Sequence, residues 1–157
     1  MIHDKNAGGL RLSPLHTLSE AEIAHLKNEI RIIGAPESIF VFNEYFKTGY
    51  MDDYGIISIA GDVMPDKSSN STHPRDLMSE RAVLAHEYYG HYKYAPSKFS
   101  RGDWKDEFRA SYIAAKTALN LTDDDRRYLV LDALDRAKEA GVTIKHNKFI
   151  RRILYGY

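Results

Sequence analysis

The stretch Ala85-His86-Glu87-Tyr88-Tyr89-Gly90-His91 decides how the rest of this chain is read. Two histidines stand five residues apart, with a glutamate beside the first. At four-residue spacing such a pair lies on one helix face, where both imidazoles reach one metal ion and the glutamate reaches water beside it. Five residues at about 100° each leave the pair roughly 140° apart on a regular α-helix. The helix must therefore widen locally, as a π-bulge does, or end early enough for His91 to swing back. Gly90, just before His91, tolerates such distortion better than any other residue.

Working outward, Ser79 caps this helix, which the pattern extends from Glu80 to about His91. After the loop YAPSKFSRG, Asp103 caps a helix over about 104–119 that opens with Asp106-Glu107-Phe108-Arg109-Ala110-Ser111. A catalytic zinc site needs a third protein ligand and keeps its fourth position open. Glu107, sixteen residues after His91, is the expected third ligand once the loop reverses the chain. The chain has no cysteine, so disulfides, thiolate metal sites and thiol catalysis are excluded, and any metal binds through His, Asp or Glu.

These two segments resemble the metal site of dipeptidyl peptidase III. That family carries H-E-x-x-G-H followed by E-E-x-R-A-E. His86, Glu87, Gly90 and His91 match the first motif, and Glu107, Arg109 and Ala110 the second. Asp106 stands for the family's first glutamate, and Ser111 departs from its last. The resemblance covers about a dozen residues of a family whose chains are several times longer. It implies a zincin-type site with Zn²⁺ on His86, His91 and Glu107 and Glu87 as general base. More loosely, the pattern is similar to small metallopeptidase domains of bacterial polymorphic toxins and mobile elements, which implies a toxin-type effector domain.

Supporting roles stay open at this level. Asp106 reads either as a partner for the distal nitrogen of a ligand histidine or as a helix N-terminal charge. Arg109 reads as a residue that orients the carboxylates or binds a substrate terminus, or as a structural salt-bridge residue. An oxyanion donor is expected in catalysis of this kind. Tyr112 is one candidate and also reads as a core aromatic; His146 in the basic stretch KHNKFIRR is another, and His73 a third.

Elsewhere, residues 1–16 read as a lead-in and 17–157 as one zincin-like catalytic domain. Ser19 and Glu22 form a capping box for a helix with Ile23, Leu26, Ile30 and Ile33 on one face, stopped by Gly34 and Pro36. Residues 39–46 and 55–60 read as strands joined by the connector KTGYMDDY. Residues 61–78 read as a long polar loop, and Thr122 with Asp125 caps a helix over about 123–140. Residues 142–144 look β-like, and 146–155 form a short basic helix. The expected fold class is α+β, helices on a short sheet.

Composition bounds the partners. At 157 residues, with 22 basic and 22 acidic side chains, the chain has no net charge and no whole-chain attraction to nucleic acid. No apolar run approaches a membrane span, and the N-terminus lacks a secretory signal. Cytoplasmic synthesis is expected, with export by an address elsewhere left open. The expected partner is a protein or peptide substrate. The rival readings are a zinc hydrolase of a non-peptide bond and a non-enzymatic binding module with a vestigial metal site.

Overall fold

The computed structural model describes residues 11–100 and 102–157. Helix α1 (Glu20–Ile32) starts at the Ser19–Glu22 capping box, with the Ser19 side chain accepting from the Glu22 backbone and the Glu22 side chain accepting from the Ser19 backbone. Its buried stripe of Leu26, Ile30 and Ile33 packs into a core shared with Phe40, Ile57 and Ile59 of the sheet and with Leu84, Leu129, Val130 and Ile150 of later helices. Burying each of these larger side chains contributes about 1.5–3 kcal/mol.

The sheet has three short strands, β1 (Phe40–Phe42), β2 (Gly49–Met51) and β3 (Ile56–Ile59), in the order β1-β3-β2. This α+β architecture matches the expected class, while the strand reading is corrected. The strand expected over 39–46 ends at Phe42 because Asn43 turns into the left-handed region at φ 61°. The Asn43 side chain accepts from Leu18 N at 2.9 Å and donates to Leu18 O at 3.0 Å. The segment read as a connector holds β2, which pairs antiparallel with β3 through a turn closed by Gly55 at φ 65°. β1 pairs with β3 in parallel. Residues 142–144 form no strand, and α6 (Lys148–Tyr155) begins at the Asn147 cap.

The segment read as a polar loop contains a short 3-10 turn at Gly61–Val63 and the single-turn helix α2 (Pro74–Leu77). Arg11 ties it together. Its Nε donates to Asp62 O at 2.7 Å, Nη2 to Val63 O at 2.6 Å, and Nη1 to Arg75 O at 3.0 Å and Met78 O at 2.9 Å. Burial draws the guanidinium down to about 10, against the opposing charges of Asp62, Asp76 and Glu80, so it stays cationic at neutral pH. Of the lead-in read as 1–16, residues 1–10 lie outside the described residues, and the remainder is anchored through Arg11.

Helix α3 (Glu80–Ala85) is capped by Ser79, whose hydroxyl accepts from Ala82 N. It runs without a break into a π-helical turn, His86–His91. Helix α4 (Trp104–Thr117) packs on that turn and on α5 (Asp123–Glu139), which also packs on α3. Both helices bury small side chains, Ala110, Ala114 and Ala115 on α4 and Ala133 and Ala137 on α5. Side chains this small let the two axes approach closely. No helix among the described residues is long and apolar enough to cross a membrane.

Candidate metal centre

The π turn resolves the five-residue spacing. Tyr92 N bonds to Glu87 O, five residues back, so the wider turn brings His91 over His86 as an α-turn would bring a residue four away. The two imidazoles meet edge-on, with centroids 4.8 Å apart. Gly90 serves a different purpose from the one read in the sequence. Its φ is not left-handed; instead a Cβ there would stand 2.5 Å from Ala110 O and 2.7 Å from Ala110 Cα. Gly90 is the flat face that lets α4 dock on the π turn, and α4 carries Glu107.

His86 Nε2 lies 3.0 Å from Glu107 Oε1 and 3.2 Å from His91 Nε2, and His91 Nε2 lies 3.4 Å from Glu107 Oε1. A tetrahedral zinc with ligands near 2.0–2.1 Å sets neighbouring ligand atoms about 3.3 Å apart. The three distances straddle that edge length, so the donor set fits the ion in composition and in spacing. Burial opposes charge on the His86 ring, but the hydrogen bond to Glu107 and the charges of Glu87, Glu107 and Asp132 outweigh it and raise its pKa. Burial likewise pushes Glu107 up, yet hydrogen bonds and charge from His86 and His91 hold its carboxyl far below the usual carboxylate range. The arrangement favours positive charge between these three side chains, and a divalent ion competes with a proton for the same lone pairs.

Two further carboxylates come within chelating reach of the histidines. Ligand atoms of His86, Glu87 and His91 lie within 4.8 Å of one another, as do those of His91, Asp106 and Glu107. Both carboxylates have other partners. Glu87 Oε1 accepts from Tyr50 N of β2 at 3.0 Å. Asp106 is paired with Arg109 at 2.8 Å, and its nearer oxygen to His91 Nδ1 stands at 3.6 Å, beyond a hydrogen bond. Arg109 Nη1 in turn donates to Gly90 O at 2.6 Å, holding α4 against the π turn. His86, His91 and Glu107 are left as the converging set.

The cluster opens into a cleft of about 790 Å³ walled by Gly49 and Tyr50 of β2, Arg11 and Arg75, the 95–99 loop, and Arg136 of α5. The oxyanion candidates are elsewhere. Tyr112 stacks on Phe108, meets Phe149 edge-on and accepts from Asn147 Nδ2 at 2.9 Å. His146 stacks on Tyr155. His73 is exposed and faces Asp135 at 3.4 Å, on a surface that Arg75 also occupies. None of the three lines the cleft. Tyr89 is buried and bonds to Ile33 O, and Tyr92 packs edge-on against Tyr50.

Three residues absent from the sequence reading belong to the site. Tyr50 supplies the N–H that holds Glu87. Arg136 reaches the cleft, with Nη1 3.9 Å from Glu107 Oε1. Asp132, fully buried one turn before Arg136, sits behind the cluster. The signal for the last two is an acid and a base four apart, with the acid on the core-facing stripe of Leu129, Ala133 and Ala137. Comparison with known proteins finds no match: no family model, no curated protein and no solved structure is similar to the chain.

Proposed function

We propose that the chain is a zinc-dependent peptidase or amidase of the zincin type. The observation that carries this is the convergence of one atom each from His86, His91 and Glu107 at 3.0–3.4 Å, the edge length of a tetrahedral zinc site. Two imidazoles and one carboxylate, open on the cleft side, are a donor set suited to hydrolytic zinc. Zinc held there supplies Lewis acidity toward a carbonyl oxygen and toward water.

The chain's own residues do the rest. Glu87 is not needed as a ligand, and its carboxylate sits beside the cluster at the cleft wall. It takes the proton of the attacking water and delivers it to the leaving amine. The Tyr50 N–H fixes the carboxylate, which leaves Glu87 Oε2 for the proton. Arg136 contributes the cation nearest Glu107 on the cleft wall, where charge developing on an attacked carbonyl is stabilised. β2 is an edge strand beside the cleft, a geometry suited to an extended peptide.

The test is metal content of the purified protein beside His86→Ala. About one zinc per chain, lost in the variant, supports the centre. No zinc after reconstitution at neutral pH overturns it.

A further inference from the structure

Behind His86, on the side away from the cleft, three helices contribute to a buried polar chain whose middle members, Ser111 and Asp132, the chemistry above does not use. His86 Nδ1 lies 2.8 Å from Ser111 Oγ on α4. Ser111 Oγ donates to Asp132 Oδ2 on α5 at 2.6 Å. Asp132 Oδ1 accepts from Arg136 Nε at 3.1 Å. Ser111 and Asp132 are both fully buried. An ionised carboxylate this deep persists only with a charge partner and donors on its oxygens, and Asp132 has one of each.

Counting protons fixes the direction of the chain. An ionised carboxylate only accepts, and a serine hydroxyl has one proton to give. At 2.6 Å that proton belongs to the bond with Asp132, which is short as expected for O–H···O⁻. Toward His86, Ser111 Oγ is then an acceptor, so Nδ1 carries the ring proton. The neutral imidazole therefore presents its lone pair at Nε2, the nitrogen that faces Glu107 and His91. Because α4 packs on both the π turn and α5, Ser111 reaches His86 on one side and Asp132 on the other.

We propose that Ser111 and Asp132 are positioning residues for a metal at His86. Asp132 acts through the Ser111 hydroxyl to hold His86 as the tautomer whose Nε2 lone pair points into the ligand cluster. The proposal rests on the metal reading above and adds that the α5 carboxylate is part of the centre without being a ligand. Groups placed behind a ligand histidine in this way typically change metal affinity by about 10–100-fold when removed.

The experiment uses the zinc-loaded, ¹⁵N-labelled full chain, with Ser111→Ala and Asp132→Ala. It reads zinc affinity by competition with a chelator, the ligand-histidine ring protons by NMR, and metal-free thermal unfolding. The wild type is expected to show a slowly exchanging Nδ1 proton on one zinc-bound imidazole. Both variants are expected to lose that resonance's protection and to bind zinc about 10–100-fold more weakly, beyond any change in metal-free unfolding. A folded Ser111→Ala or Asp132→Ala that keeps the protected proton and wild-type affinity overturns the relay alone. A wild type that binds zinc with no protected Nδ1 proton also overturns it. A wild type that takes up no zinc overturns the metal reading and this proposal with it.

Discussion

The backbone N–H of Tyr50, on the edge strand β2, donates to Glu87 Oε1 at 3.0 Å. A strand-edge donor thus holds the glutamate proposed as general base. Glu87→Gln can keep this bond, because the amide oxygen also accepts. The variant should fold and hold zinc as the wild type does, while hydrolysis falls by about 10²–10⁴-fold. Turnover retained in Glu87→Gln, measured on an unfolded protein substrate, removes Glu87 from the chemistry.

Gly90 faces Ala110 at backbone distance, so Gly90→Ala should be costly. The nearest obstacle is a carbonyl oxygen 2.5 Å from the added methyl, which has no rotamer in which to retreat. A loss of about 1–3 kcal/mol is expected, together with weaker zinc binding as α4 carries Glu107 outward. Ala110→Gly should not rescue it, since the carbonyl remains. Rescue by that second change, in denaturant unfolding, contradicts the backbone-contact account.

Zinc should stabilise the fold as well as enable chemistry, because the ligands proposed for it come from the π turn and from α4. At 100 times its dissociation constant an ion bound only by the folded chain adds about 2.7 kcal/mol. For a chain of this size that corresponds to roughly 5–10 °C in the midpoint. Chelation should reverse the shift, and His91→Ala should abolish it. A midpoint indifferent to zinc and chelator speaks against binding to the folded state.

Arg11 closes one wall of the cleft by bonding carbonyls on both sides of the 61–78 segment. Lysine keeps the charge but cannot reproduce the planar fork. Arg11→Lys should therefore lose about 2–4 kcal/mol, because buried carbonyls are left without donors. Equal stability of Arg11→Lys and wild type in thermal unfolding rules out the fork as the reason arginine stands there.

Much of the His86–His91–Glu107 cluster was legible because its signals are local. The i, i+5 histidines demanded a widened turn, and the π turn His86–His91 has that form. Glu107 was expected from its place at the start of the next helix, and it does meet both histidines. The capping boxes at Ser19 and Thr122 also follow from short-range hydrogen bonding. What escaped depended on distant partners. Ile39 to Phe46 is rich in β-branched and aromatic residues, yet Asn43 ends the strand by bonding Leu18, 25 residues away. β2 is too short for alternation to show, and β3 supplies its ladder. Tyr112 and His146 looked available for catalysis because a sequence does not say which helix face or which loop meets the cleft. Asp132 and Ser111 join the site only when α4 and α5 are docked.

The π turn also sets a reading frame for everything that follows it. Deleting Tyr88 or Tyr89 would give the histidines the commoner spacing of four. It would also rotate the chain beyond by about 100° and shorten it by about 1.5 Å. Gly90 would then swing off Ala110, and Tyr92 off Tyr50. The ring of contacts that fixes Glu107 against the histidines would be out of phase with the helix bearing them. The regular motif and this one are therefore not alternative spellings of one site, since the extra residue is timed to the helix that docks on it.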